Sequence, residues 1–280
     1  MKKNCIITGA TDGIGKQTAI ELANLGYNLG LVGRNQEKGR LLIQEIEKIT
    51  GNQSIKYFNT DLSVIRKVKK LVLNIKKDFE SIDVLINNAG AYFSTFEKTK
   101  EGLERTFALN HLSYFTLTHL LLDALEKGRD SRVINVASNA HFRAKLDMKD
   151  LQMEKKYKGW TAYCNSKLMN ILFTYEADKL FKNKGITFNC LHPGFVNTRF
   201  GDHNKGFGKT ILNIGKKLIA INVKKGAGTN VFLASSNKVS KVSGKYYYNS
   251  KDTESSKISY SDSIQKRLWV YSKKIIDDLL

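Results

Sequence analysis

The chain has 280 residues, 41% hydrophobic and 26% charged, with 21 Gly and one Pro, which excludes a disordered, collagen-like or Pro-rich linker protein. Its cysteines, Cys5, Cys164 and Cys190, are far apart and form no Cys-x-x-Cys pair, so neither a disulfide framework nor a zinc site is implied and a reducing, cytoplasmic setting fits. The formal charge of +20 invites a nucleic-acid partner, but only nine basic residues are Arg and the lysines are scattered through every segment, as on a solvated surface with no nucleic-acid partner.

Short β-branched runs alternate with stretches of helical period, the pattern of βαβ units and a parallel sheet. Asn4 to Thr8 is the first strand; Ile14, Thr18, Leu22 and Leu25 then recur at helical spacing and Gly26 closes that helix. Tyr27 to Val32, Glu37 to Ile49, Ile55 to Asn59 and a basic helix from Ser63 to Phe79 continue the alternation. Val84 to Asn87 is a fourth strand, followed by one long helix from Leu103 to Leu125 with a stripe of Leu109, Leu112, Leu117 and Leu121. Arg132 to Val136 is a fifth strand, residues 139–160 are polar and irregular, Ala162 to Phe181 returns to helical period, and Ile186 to Leu191 is a sixth strand.

Right-handed crossovers make this a single α/β domain over residues 1–280, a doubly wound parallel sheet of the Rossmann type with strand order 3-2-1-4-5-6 and an added edge. Residues 199–226 form a candidate substrate lid, with a basic amphipathic stretch from Lys209 to Lys225. Residues 240–280 are a C-terminal extension, with a strand from Gly244 to Tyr248 and a closing helix from Ser261 to Asp277. No apolar run approaches the ~18 residues that span a bilayer, so a soluble protein with at most peripheral membrane contact through the amphipathic stretch is expected.

Gly9, Thr11, Asp12, Gly13, Ile14 and Gly15 follow the first strand and open the first helix, where backbone N–H groups and the helix dipole favour a pyrophosphate. The spacing Gly-x-x-x-Gly-x-Gly differs from the commoner Gly-x-Gly-x-x-Gly, and a glycine-rich turn alone is weak evidence. At the end of the second strand an NAD site places a carboxylate for the ribose 2′-hydroxyl; this chain has Gly33-Arg34-Asn35, and a guanidinium there suits the 2′-phosphate of NADP(H). The alternative is a solvated strand-end arginine.

Tyr163 and Lys167 stand four residues apart, on one face of a helix. An ordinary phenol titrates near 10, so it is a poor base at neutrality unless a cation stabilises the phenolate. The pair is common by chance. Its place in an ordered series is not: the glycine turn, Asn87-Asn88-Ala89-Gly90, Asn110, Ser138, Tyr163 with Lys167, and His192-Pro193-Gly194 follow one another. The stretch from about residue 4 to residue 200 resembles the short-chain dehydrogenase/reductase family. Further matches at Asn110-His111-Leu112, Ala162 to Leu168 and Ser243 to Tyr247 make it similar to the retinol dehydrogenase-like branch, many of whose members carry a hydrophobic membrane anchor that is not seen ahead of the first strand.

The resemblance implies an oxidoreductase in which Tyr163 is the general acid and base, Ser138 orients the substrate carbonyl, Lys167 binds the nicotinamide ribose and tunes Tyr163, and Asn110 supports a relay water. It also implies that Asp61 and Leu62 contact the adenine, that Asn88, Ala89 and Gly90 turn beside the adenosine ribose, and that Pro193, Gly194, Val196 and Thr198 lie against the nicotinamide. Arg34 and Asn35 complete the expected cofactor set, and Asn87 ties neighbouring strands. Ser138 is open to a second reading as a helix-capping hydroxyl and Asn110 as a buried amide at a helix kink. His111, His141 and His192 fit no metal-ligand spacing, so no metal site is expected.

The expected substrate is a small apolar aldehyde, ketone or alcohol, bound beyond the C-terminal strand ends beside Tyr92, Phe93 and residues 139–146. A catalytically silent NADPH-binding regulator and an enone-type reductase are the rival readings. Helices 103–125 and 162–181 resemble those that pair subunits in the family, which implies a homodimer or homotetramer. A charge-assisted hydrogen bond contributes ~1.5–3 kcal/mol, so Arg34→Ala is expected to weaken NADPH roughly ten- to a hundredfold in a fluorescence titration while sparing NADH; equal losses for both would remove the NADP assignment.

Overall fold

The structure is a computed structural model that describes residues 2–194 and 223–280. Val196, Thr198 and the expected lid up to residue 222 lie outside the described residues. In chain order the described elements are β1 (Asn4–Thr8), α1 (Gly13–Asn24), β2 (Asn28–Gly33), α2 (Gln36–Thr50), β3 (Ile55–Asn59), α3 (Ile65–Asp78), β4 (Val84–Asn87), α4 (Arg105–Phe107), a π turn (Ala108–Leu112), α5 (Ser113–Leu120), α6 (Leu122–Glu126) and β5 (Arg132–Val136). There follow α7 (Gly159–Phe181), β6 (Thr187–His192), α8 (Val223–Ser235), β7 (Lys245–Tyr248), β8 (Lys251–Thr253) and α9 (Asp262–Leu279).

The described strands form one eight-stranded sheet in the order β3-β2-β1-β4-β5-β6-β7-β8. All neighbours are parallel except β7 and β8. β4 and β5 are buried along their whole length, because helices cover both faces and both sets of alternating side chains point into a core. One core lies under α3, α5, α7 and α9 and includes Phe79, Phe115 and Leu172. The other lies under α1, α2 and α8 and includes Leu22, Leu31 and Leu233. The chain leaves β1 for β2 on one side and reaches β4 on the other, so the C-terminal strand ends part there and leave a crevice.

Several expectations need correction. The helix drawn from Leu103 to Leu125 is four pieces. Glu104 starts it late by accepting the N–H groups of Thr106 and Phe107, both at 2.7 Å, and Leu121 ends α5 with ψ near 4°. Of the α1 stripe, Thr18 and Leu22 are buried but Leu25 lies exposed beside Gly26, which takes φ +81°. α7 begins at Gly159, three residues before Ala162, and residues 139–143 form a 3-10 turn inside the stretch read as irregular. The helix α8 and the antiparallel strand β8 were not expected.

The closing helix α9 docks on one face of α5 and α7. Its buried residues Gln265, Leu268, Ser272 and Ile276 recur at helical spacing, and Trp269 meets Phe115 at 4.8 Å, Phe181 at 5.7 Å and Phe173 at 5.9 Å between ring centroids. The chain's own aromatic cluster therefore occupies that face. Phe115 is 1% exposed, so Phe115→Ala is expected to lower stability by about 3–5 kcal/mol in urea unfolding; a loss under about 1 kcal/mol would mean α9 is not packed as described.

Candidate active site

Two turns at the crevice are stitched together before any ligand is considered. The Thr8 hydroxyl accepts the N–H groups of Asn88 at 2.8 Å and Ala89 at 3.0 Å, and the Asn88 side-chain amide donates to the carbonyls of Thr8 at 2.8 Å and Gly9 at 3.3 Å. This contact admits no side chain at two glycines: a Cβ on Gly15 would lie 2.2 Å from the Gly9 oxygen, and one on Gly9, which has φ +65°, 2.8 Å from the Ala89 Cα. The N-terminus of α1 consequently faces the crevice with Gly13, Ile14 and Gly15, and Asp12 caps it by accepting the Gly13 N–H at 2.8 Å.

A continuous cleft of about 760 Å³ runs from this turn in both directions. At one end it is lined by Thr11, Arg34, Asn35, Lys38 and the stretch from Thr60 to Ser63. The Asn35 side chain is engaged as the N-cap of α2, accepting the Lys38 N–H at 2.9 Å, while its carbonyl accepts the Tyr57 hydroxyl at 2.8 Å. Asp61 accepts the Ser63 N–H and hydroxyl at 3.0 and 2.7 Å, and Leu62 is buried. Lys38 was missed in the sequence because only the start of α2 at Gln36 turns it toward the cleft; Thr60 and Ser63 carry no signal of their own.

Elsewhere along the cleft stand Gly90, Ala91, Phe93, Arg105, Leu109, Ser138, Trp160, Tyr163 and Lys167, with Pro193 and Gly194 after β6. The fifth strand delivers Ser138 and helix α7 delivers Tyr163 and Lys167 one turn apart. The Ser138 hydroxyl hydrogen-bonds the Tyr163 phenol, and it also accepts the Ala140 N–H at 3.2 Å as cap of the 3-10 turn. Burial pushes the Tyr163 phenol well up and the bond from Ser138 pulls the other way. Trp160 stacks on the Tyr163 ring at 5.8 Å and Tyr92 meets it edge-on at 6.5 Å.

Lys167 is 3% exposed. Its ammonium donates to the Val136 carbonyl at 3.0 Å and lies 5.7 Å from the Tyr163 ring and 5.8 Å from the Tyr114 ring. Burial pushes it down to about 7. Asn110 sits in the π turn, wholly buried. Its side chain accepts the Ala91 N–H at 3.0 Å and donates to the Ala91 carbonyl at 2.9 Å and to Ser166 at 3.1 Å, so it clamps the turn that carries Gly90 and Ala91 against α7. Asn87 donates to Thr118 at 3.0 Å and Asn135 at 2.9 Å, tying β4 to β5 and α5. His192 accepts the Asn139 and Gly194 N–H groups at 3.2 and 3.3 Å, and burial pushes it down to about 4.

The profile of the short chain dehydrogenase family matches residues 3–206. The chain is 36% identical to human retinol dehydrogenase 13 over 279 residues, covering 98% of this chain and 84% of that one. It is 37% identical to human polyprenol dehydrogenase over 274 residues, 94% and 82% of the two chains. Among solved structures, an uncharacterised protein from Mycobacterium paratuberculosis superposes with a TM-score of 0.79 at 25% identity, over 98% of this chain and 93% of the other. The chain belongs to the short-chain dehydrogenase family, as a retinol dehydrogenase-like oxidoreductase; the family uses nicotinamide cofactors on small carbonyl or alcohol substrates.

The desolvated ammonium has a consequence for folding. Between about 7 and its ordinary 10.5, the unfolded chain holds a proton on Lys167 that the folded chain does not, so stability rises with pH across that window, by up to ~1.4 kcal/mol per unit. Without ligand, wild type is expected to gain on Lys167→Met in urea unfolding between pH 7.5 and 9.5; parallel curves would show that the ammonium is not desolvated.

Proposed function

We propose that this oxidoreductase transfers hydride between NADP(H) and an apolar aldehyde or ketone, or the corresponding alcohol, with Tyr163 as general acid and base. The observation that carries the reading is one phenol hydrogen-bonded to Ser138, with a buried ammonium near its ring, in a cleft that Arg34 and Lys38 also line.

The residues fit such a cofactor on the chemistry of their donors. Gly9, Thr11, Asp12, Gly13, Ile14 and Gly15 present a helix N-terminus and a backbone that can be approached closely, which suits a pyrophosphate. Arg34 and Lys38 line the same end and would hold a 2′-phosphate, with the Asn35 cap fixing where that turn begins. Asp61 and Leu62 would meet the adenine, Asn88, Ala89 and Gly90 the adenosine ribose, Pro193, Gly194, Val196 and Thr198 the nicotinamide side, and Lys167 the nicotinamide ribose. When bound, the nicotinamide supplies or accepts the hydride at the carbonyl carbon.

This chain's residues handle the proton. In a ligand-free cleft burial keeps Tyr163 protonated, the form needed to give a proton to a carbonyl oxygen. Ser138, bonded to the phenol, is placed to orient that oxygen with its own hydroxyl. Once Tyr163 has given its proton, the phenolate raises the affinity of Lys167 for a proton, and the ammonium in turn stabilises the phenolate; the two titrate as a pair. Asn110 clamps Ala91 and the Gly90 turn beside this pair, the position of a relay support. Trp160, Tyr92, Phe93 and Leu109 supply aromatic and aliphatic surface, which supports an apolar substrate. A silent cofactor-binding regulator has no need of a phenol, hydroxyl and ammonium in this arrangement.

General acid chemistry contributes typically ~10²–10⁴-fold, so Tyr163→Phe is expected to abolish turnover while leaving NADPH affinity little changed. NADPH oxidation over aliphatic, aromatic, retinoid and steroid carbonyls, with the variant as blank, tests this. Turnover retained in Tyr163→Phe would remove the mechanism, and reduction only of a conjugated carbon–carbon bond would select the enone-type reading.

A further inference from the structure

Ser138 is held by more than its own turn. Its carbonyl is 2.7 Å from Nδ1 of His141, and Nε2 of the same ring accepts the backbone N–H of Ser256 at 3.0 Å. A backbone N–H only donates, so Nε2 is the bare nitrogen and the proton sits on Nδ1, the nitrogen that faces the Ser138 carbonyl. The ring is 1% exposed and packs against Phe142 at 4.1 Å and Tyr246 of β7 at 5.0 Å. Both ring nitrogens are thus engaged by the backbone.

We propose that His141 is a positioning residue for Ser138, locked in one neutral tautomer by the Ser256 N–H, so that the C-terminal segment after β8 fixes the hydroxyl that engages Tyr163. The inference rests on the catalytic reading above. It also explains why residues remote from the cleft are tied to it: Ser256 lies 115 positions from His141 in sequence, next to Ser255, whose hydroxyl bonds those of Tyr175 on α7 and Ser259, both at 2.7 Å. The C-terminal segment thereby grips the helix of Tyr163 and the turn of Ser138 together.

Protonating His141 would convert Nε2 from acceptor to donor and break the Ser256 bond. Among the described residues the titratable groups beside the ring are Tyr246 on β7, His192 at the end of β6 and Arg143 on its own turn, and the segment after β8 carries Glu254 and Lys257, both exposed, on either side of Ser256. The positive charges of His141 and His192 oppose each other. Burial likewise pushes His141 down. Activity that depends on neutral His141 is present above its titration and lost as pH falls through it.

Ser256 offers a narrow test. Its backbone has φ −61° and ψ 144°, which suits the fixed φ of proline, while the ring carbon that replaces the N–H pushes against the imidazole. Among the described residues its hydroxyl has no partner, while its carbonyl, which accepts from the Ser259 N–H at 2.9 Å and hydroxyl at 2.6 Å, is kept by proline. Ser256→Pro therefore removes the one N–H that points at His141. The variant is assayed with a carbonyl that wild type reduces, beside Tyr163→Phe and Ser138→Ala.

The expected result is a thermal midpoint below wild type, since a hydrogen-bonded N–H is lost, with NADPH affinity by fluorescence unchanged at a temperature where the variant is folded, kcat lower by roughly tenfold, and loss of activity at a higher pH on the acid side. His141→Asn, which keeps an N–H for the Ser138 carbonyl, is expected to retain more kcat than His141→Phe, which keeps only the ring packing. Wild-type kcat with an unmoved acid limb in Ser256→Pro, read at a temperature where that variant is folded, overturns the proposal, and so does equal kcat in the two His141 variants. Turnover in Tyr163→Phe would sink the catalytic reading itself, whereas a dead Tyr163→Phe beside an unaffected Ser256→Pro sinks only the role of His141.

Discussion

An ammonium taken out of water and hydrogen-bonded to a main-chain carbonyl is the constraint on which this site turns. Lys167 lies between two phenol rings and donates to Val136, and desolvation costs it much of its affinity for a proton. A buried cation in that condition is stabilised by any negative charge that appears beside it, and Tyr163 lies one helical turn away with its ring 5.7 Å from the ammonium. Burial opposes ionisation of the phenol alone and of the ammonium alone, and a phenolate beside the ammonium offsets part of the cost of each. The proton chemistry assigned to Tyr163 follows from that coupling.

The fold supplies what the coupling needs. Parting of the chain between β1 and β4 opens the crevice, and the Thr8, Gly9, Asn88 and Ala89 contacts hold its two turns at a spacing that no side chain at Gly15 would permit. Asn110, by clamping Ala91 and Ser166 from a π turn, sets the neighbouring wall. Gly159 opens α7 where a Cβ would strike the Phe93 carbonyl at 2.3 Å, so the helix can bring Trp160 and Tyr163 up against the wall that carries Phe93. No helix among the described residues is long and apolar enough to cross a membrane.

Much of this was legible beforehand, for physical reasons. Strands β1 to β6 lie within a residue or two of their expected bounds because their runs are short, apolar and β-branched, and the four-residue spacing of Tyr163 and Lys167 fixes a common helix face whatever the partners. The rest depended on contacts between distant segments. Hydropathy runs unbroken through Asn110 and Leu121, so the π turn and the break after α5 left no mark. Val223–Ser235 holds Gly226 and Gly228, which argue against a helix, but Gly226 and Ala227 are buried and Asn230 reaches Thr18 at 3.3 Å, so packing on α1 outweighs propensity. Asn35 lines the cleft and its side chain also caps α2, a bond that depends on where the helix starts. That α9 covers α5 and α7 is a matter of tertiary docking that its own amphipathic period does not specify.

The coupling between Lys167 and Tyr163 is open to direct titration. Ultraviolet difference spectra follow tyrosinate formation in the presence of oxidised dinucleotide, with Tyr163→Phe subtracted to isolate one phenol. The account predicts a single tyrosinate appearing ~3 pH units below the ordinary value of about 10, and its return to a high pH in Lys167→Met. An unchanged titration in Lys167→Met would contradict the claim that the buried ammonium governs the phenol.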